Sequence, residues 1–277
     1  QIESRTLGDI AQNHIMPTAI KYQNVLIDNV KGMNDIFGKE AKQLAATQLQ
    51  LLKNTSEHLN QLKDLLFEFG NNVQFEYDLK KKNWFNIGGK TKVFYKADNL
   101  KELVNFLKKL DNKKKIFTLG AGSNTLIKDS LFDGVVIKLS KNFNKMSLLG
   151  KDIIIAGSAV LDRNLSEFAI KNSLSGFEFL SCIPGTIGGG IKMNAGCFGR
   201  EFKDILLSIQ ALDKKGKVIT IPIKNIKFDY RKNNLPEDLI FLSASFQGKK
   251  GNSALIRNET EKLKKKKRRH STIKNKN

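Results

Sequence analysis

Gly120-Ala-Gly-Ser-Asn-Thr-Leu126 and Ile183-Pro-Gly-Thr-Ile-Gly-Gly-Gly-Ile-Lys-Met-Asn-Ala-Gly196 decide the fold reading, and Phe228-Asp-Tyr-Arg231 follows them downstream. A glycine has no Cβ, so the backbone can come close to a ligand and successive N–H groups can converge on phosphate oxygens without a charged side chain. Both stretches therefore suit a diphosphate-bearing cofactor. The first lies directly after the apolar run Lys115-Ile-Phe-Thr-Leu119, where a nucleotide phosphate loop is expected. It lacks the third glycine of the dinucleotide fingerprint and the Gly-Lys-Ser/Thr of a P-loop, so neither of those folds is supported, and a tight structural turn stays open as its alternative. The second stretch is more specific, because so many glycines in a mere connector would cost too much backbone entropy.

Around these stretches the pattern alternates between strand and helix. Short strands are expected at Lys92–Tyr95, Lys115–Leu119, Val135–Leu139, Asp152–Ala156 and Leu239–Phe246, and helices at Leu100–Leu110 and Leu161–Asn172. Ile205–Leu212 and Val218–Ile221 read as a hairpin around Lys214-Lys-Gly216. This is an α+β arrangement of two packed subdomains with a ligand between them. Residues 38 to 69 read as one helix, with Leu52, Leu59, Leu62, Leu66 and Phe69 at three and four spacing and Gly70 just past its end. Ser4 to Val30 is also helical by pattern, with Pro17 breaking or starting a helix, so residues 1 to 70 are expected to form a helical hairpin.

At 277 residues, 40% hydrophobic and 27% charged, the chain can bury a real core and is expected to hold two folded units. No stretch reaches the roughly 18 apolar residues of a membrane span, and the N-terminus has no signal-peptide pattern, so no membrane partner and a cytoplasmic location are expected. Cys182 and Cys197 are too few for a disulfide framework, and no metal site is expected. His14 and His58 lack carboxylates at ligand spacing. The net charge of +21 divides into −1 for residues 1–70, +12 for 71–247 and +10 for 248–277. The shift near residue 70 marks a module boundary, the basic middle suits an anionic ligand, and 248–277 reads as a solvated basic tail.

Residues from about 75 to 247 resemble the UDP-N-acetylenolpyruvoylglucosamine reductases, also called UDP-N-acetylmuramate dehydrogenases. The resemblance rests on Asn83-Trp-Phe-Asn-Ile-Gly-Gly89, the Gly120–Leu126 loop, Gly176-Phe-Glu-Phe-Leu180 leading into the second glycine stretch, Asn194-Ala-Gly196 and Tyr230-Arg231, in the family's order and spacing. It implies a two-subdomain FAD-binding fold of the PCMH type, which is vanillyl-alcohol-oxidase-like. It also implies a role in peptidoglycan precursor synthesis: NADPH reduces FAD, hydride passes from flavin N5 to the enolpyruvyl double bond of a UDP-sugar, and a side-chain acid protonates the adjacent carbon. Arg231 matches the family's catalytic arginine, whose guanidinium would hold the substrate carboxylate. Gly120, Ala121, Gly122, Ser123 and Asn124, with Ile183, Pro184, Gly185, Thr186, Gly188, Gly189 and Gly196, match the cofactor contacts. Tyr230 would sit by the flavin or pack in the core.

Members of the family continue into a substrate-binding domain that carries a proton-donor serine in a Gly-Ser-x-Phe motif and, near the C-terminus, a glutamate. Neither occurs here: Ser271 lacks that context, and Glu259-Thr-Glu-Lys-Leu-Lys-Lys-Lys-Lys-Arg-Arg269 resembles the basic helix leading towards that domain, read as its start. Losing a general acid costs on the order of 10²-fold to 10⁴-fold in rate, so the expectation is an intact flavin fold with little or no turnover. Residues 1 to 66 resemble the C-terminal helical region of type III glutamine synthetases, downstream of that enzyme's metal and nucleotide sites, which implies no ligase activity. The competing readings are a flavin-holding but inactive module, non-specific nucleic-acid association through Lys262–Arg269, and an oligomerisation role for residues 1–70. The basic run has no interleaved aromatics, which favours a solvated, disordered tail over a specific nucleic-acid partner.

Overall fold

The computed structural model describes residues 16–38, 45–110 and 113–274. The chain divides into two compact units, Gln1–Gln74 and Phe75–Asn277. In the first, α1 (Met16–Phe37) packs against α2 (Ala46–Phe69). Pro17 stands at the second position of α1, where its missing N–H leaves no bond unmade, so it starts the helix rather than breaking it. Leu26 is buried in this hairpin, and Gln23 Nε2 donates to Ser56 Oγ across it. Residues 4–15 and 39–44 of the helices expected here, and His14 with them, lie outside the described residues, as do the side chains of His58, Leu59, Leu62 and Leu66.

A four-stranded sheet runs in the order β1-β2-β4-β3, formed by β1 (Val73–Asp78), β2 (Lys90–Ala97), β3 (Lys115–Thr118) and β4 (Phe132–Leu139). Both β2 and β3 pair with β4 in parallel. Parallel neighbours need a crossover, and α3 (Leu100–Lys109) supplies it between β2 and β3. Asn99 caps α3 by accepting from the Glu102 N–H at 2.9 Å, and Leu103, Phe106 and Leu107 form its buried stripe. Tyr95 of β2 and Phe106 of α3 stack with ring centroids 3.9 Å apart.

A second sheet is antiparallel throughout, in the order β11-β10-β14-β6-β5. Its strands are β5 (Met146–Leu149), β6 (Ile153–Gly157), β10 (Leu206–Leu212), β11 (Val218–Pro222) and β14 (Ile240–Gln247). One face is closed by α4 (Asp162–Lys171) and the short α5 (Ile187–Lys192), whose core residues include Leu165, Ala169, Ile187 and Ile191 packed with Phe177, Phe179, Phe202 and Phe246. Three two-residue ladders complete the second unit: β7 (Leu174–Ser175) with β15 (Lys249–Lys250), β8 (Gly196–Cys197) with β9 (Arg200–Glu201), and β12 (Phe228–Asp229) with β13 (Lys232–Asn233). The strands, helices and hairpin expected between Lys92 and Phe246 are found with ends within three residues, while β1, β5 and the two-residue ladders were not anticipated, and α1 runs seven residues past the expected end at Val30.

The reading of 248–277 as disordered is corrected for its described residues, while Lys262 and residues 265–269 are exposed, as a solvated run would be. Ser253–Lys274 form α6. The Asn252 side chain caps it by accepting from the Ala254 N–H at 2.9 Å. Ile256 and Thr260 are buried, and Glu167 of α4 pairs with Arg257 at 3.6 Å and Lys264 at 3.7 Å. A buried strip with a carboxylate facing the basic run docks the helix despite its charge.

Candidate functional site

The first glycine loop leaves the C-terminal end of β3, where ligands of parallel sheets bind. Leu119 donates to the Ile137 carbonyl at 2.9 Å, and the chain then turns away from the sheet. Gly122 has φ of +70°, and a Cβ there would come within 2.2 Å of the Lys82 carbonyl oxygen. Only glycine fits. That close approach braces the loop on the Asn83–Gly89 segment, whose Trp84 N–H donates to the Gly122 carbonyl at 3.0 Å. Asn83 holds this segment in turn. It is buried, its Nδ2 donates to the carbonyls of Leu79 (3.2 Å) and Ile87 (2.8 Å), and its Oδ1 accepts from the Phe85 N–H at 3.0 Å.

The two glycine stretches meet. Ser123 Oγ donates to the Pro184 carbonyl, and Asn124 Nδ2 lies 3.0 Å from the Met193 sulfur. A Cβ on Gly120 would sit 2.7 Å from Thr186 Oγ1. Among the described residues, no backbone N–H of Gly120–Asn124 donates to a protein acceptor. Five amides in one glycine-rich turn are thus left for another partner, and unpaired backbone donors of this kind are what an anionic ligand satisfies. Lys138 of β4 donates to the Gly120 carbonyl from beneath, and its burial, with Lys82 nearby, lowers its pKa below the usual lysine range.

The second stretch is stitched to the turn after β6. Asp162 donates its N–H to the Gly185 carbonyl at 3.2 Å, Ile187 to Val160 at 2.9 Å and Gly188 to Ser158 at 2.9 Å. Its consecutive glycines serve different ends. A Cβ on Gly190 would lie 2.3 Å from the Phe202 ring, so packing demands glycine there. On exposed Gly189 the nearest atom would be 3.7 Å away, so nothing in the protein requires its bare backbone.

Arg231 and Tyr230 form the two-residue turn between β12 and β13, with Arg231 at φ of +59°. Asn233 anchors this hairpin to the end of α5, donating to the carbonyls of Ile191 at 3.1 Å and Lys192 at 2.9 Å. Tyr230 is 79% exposed, which overturns the core-packing alternative for it: the turn leaves its ring outside, 5.7 Å from the Arg231 guanidinium. Arg231, Tyr230, Asn194 and Gly196 line one cleft of about 550 Å³, together with Cys197, Glu201 and Lys203. Asn194, buried at φ of +42°, donates to Glu201 at 2.9 Å and accepts from the Lys203 N–H at 3.2 Å. The Lys203 hydrogen bond holds Glu201 below the usual carboxylate range, so this cleft carboxylate is ionised. Burial, then neighbouring Cys182, pushes the Cys197 thiol up, and both cysteines are free. Sequence reasoning did not single out the positioning roles of Asn83, Lys138 and Asn233; Lys138 and Asn233 act on distant carbonyls that no local pattern marks, whereas Asn83 bonds within residues 79–87.

Residues 91–222 match the family described as FAD binding domain, and residues 1–34 match the Glutamine synthetase C-terminal domain. A UDP-N-acetylenolpyruvoylglucosamine reductase of Pelagibacter ubique (strain HTCC1062) is 64% identical over 200 residues, covering 72% of this chain and 66% of its own length. The chain belongs to the UDP-N-acetylenolpyruvoylglucosamine reductase family. A member of the family from Rickettsia typhi (strain ATCC VR-144 / Wilmington) is 48% identical over 181 residues, 65% of this chain and 61% of its own. The crystal structure of the reductase from Thermus caldophilus superposes with a TM-score of 0.61 at 26% identity, over 69% of this chain and 68% of that one. The chain thus spans about two thirds of the length of these relatives. The α+β fold and the family resemblance expected from the residues are borne out, as is the glutamine synthetase resemblance over residues 1–34. No described helix is long and apolar enough to cross a membrane, and no cluster of metal-ligating side chains occurs among the described residues.

Proposed function

We propose that this chain holds FAD and belongs to a cytoplasmic NADPH-dependent reductase that converts UDP-N-acetylglucosamine enolpyruvate to UDP-N-acetylmuramate for peptidoglycan synthesis. The observation that carries the reading is the meeting of the two glycine stretches at the C-terminal end of a parallel strand, with five backbone N–H groups uncommitted. Those amides suit a diphosphate, which needs donors and tolerates no side chain in their place. FAD supplies hydride transfer, a chemistry that amino-acid side chains cannot perform.

Gly120–Asn124 bind the diphosphate, and Gly185, Thr186, Gly188 and Gly189 border the flavin on the opposite side. Lys138 beneath the loop adds positive charge near the diphosphate. Arg231, carried by a hairpin that Asn233 fixes in place, holds the substrate carboxylate and stabilises the negative charge that grows beside it as hydride arrives. Glu201, ionised in the same cleft and paired with Lys203 at 2.6 Å, adds negative charge near Arg231. The test is anaerobic reduction. The full chain is loaded with FAD, mixed with NADPH and then with the enolpyruvyl UDP-sugar, and product is read by mass. Flavin bleaching by NADPH supports the reading, with reoxidation by the substrate expected to be slow at best because this sequence carries no Gly-Ser-x-Phe proton-donor motif. Failure to take up FAD overturns it.

A further inference from the structure

Asp162 opens α4 fully buried, and neither of its carboxyl oxygens meets a hydrogen-bond partner. It sits under the cofactor segment: a Cβ on Gly185 would come within 2.8 Å of Asp162 Oδ2. The same turn carries the three backbone bonds that hold Gly185–Gly188 in place, and the buried Ser158 and Ser166 hydroxyls there are also without partners. A buried carboxylate without partners is strongly disfavoured, so such a group survives in a fold as the neutral acid.

The surroundings agree. Gly157–Val160, Gly120–Asn124 and Ile183–Gly189, the stretches gathered around it, contain no charged residue. On its own helix Arg163 is exposed, and Glu167 is occupied by Arg257 and Lys264. Burial alone pushes the acid up to about 8, and no charge opposes it.

We propose that the cofactor segment Ile183–Gly189 closes over Asp162 only as the neutral acid, and that opening of this segment is therefore linked to release of one proton. Opening exposes the carboxyl to water, where it ionises at its ordinary low pKa. Each rise in pH below the buried value therefore favours the open form, and above that value both forms are ionised and the dependence ends. The segment is held most firmly in acid and loosens towards mildly alkaline pH. The link to cofactor retention rests on the FAD reading given above.

The test is hydrogen exchange of the Gly185–Gly189 amides in the full chain without flavin, expressed as protection relative to the unstructured rate between pH 5 and 9. Wild-type protection is expected to fall about tenfold per pH unit and to level off near pH 8, while Asp162→Asn, which cannot ionise, stays flat. A flat wild-type profile overturns the proposal, as does a variant that follows the wild type. If Asp162→Asn does not fold, the wild-type profile decides alone. A second readout is FAD release, expected to quicken with pH in the wild type and not in the variant. A chain that takes up no FAD but shows the exchange pattern sinks the flavin reading and leaves the proton-linked segment standing.

Discussion

At the residue scale, the three consecutive glycines of the second stretch separate packing from function. Gly190→Ala drives a methyl into the Phe202 ring 2.3 Å away and is expected to lower stability by about 1–3 kcal/mol, seen in denaturant unfolding. Gly189→Ala meets nothing within 3.7 Å and should leave stability unchanged while weakening FAD binding, measured by flavin fluorescence. Equal effects at the two positions would refute this division. Arg231→Ala is expected to slow reoxidation of the reduced flavin by the enolpyruvyl UDP-sugar about 10²-fold to 10³-fold further, with FAD affinity intact, because it removes one charged stabiliser of the developing anion. Asp162 adds a pH signature to global stability. Its folded pKa lies above the unfolded one, so the native state binds the extra proton between about pH 4 and 8, and stability falls as pH rises through that window. The fall is about 1 kcal/mol per pH unit from this group, and urea unfolding of Asp162→Asn should lack it.

At the scale of elements, the hairpin β12–β13 acts as a carrier for Arg231, and its seating depends on Asn233. Asn233→Ala is expected to weaken binding of the UDP-sugar, measured by titration, more than it weakens FAD binding, since it loosens Arg231 and touches the second glycine stretch only at Ile191 and Lys192, beyond Gly189. The glycine stretches, the alternation of strands and helices, and Arg231 were legible in the sequence because each is written in contiguous residues. The docking of α6 was not. Its run of lysines and arginines reads as solvated charge, whereas its fate is set by Ile256, Thr260 and the distant Glu167. The same holds for Lys138 and Asn233, whose hydrogen bonds reach other segments. Tyr230 was left open between core and cleft, and only the turn geometry places it outside.

At the scale of the whole molecule, the chain joins a helical unit and an α+β unit that meet in sequence between Gln74 and Phe75. All the contacts described for the site lie beyond residue 75, so the first unit contributes nothing to those contacts. A chain beginning at Asn71, which keeps β1 whole, is therefore expected to retain FAD with unchanged affinity by fluorescence titration. The central claim is that the two glycine stretches together form a flavin cradle. The most direct test is the visible absorption spectrum of the full chain after incubation with FAD and removal of the excess. The account predicts flavin bands at about one equivalent per chain that bleach when NADPH is added without oxygen; a colourless protein would contradict it.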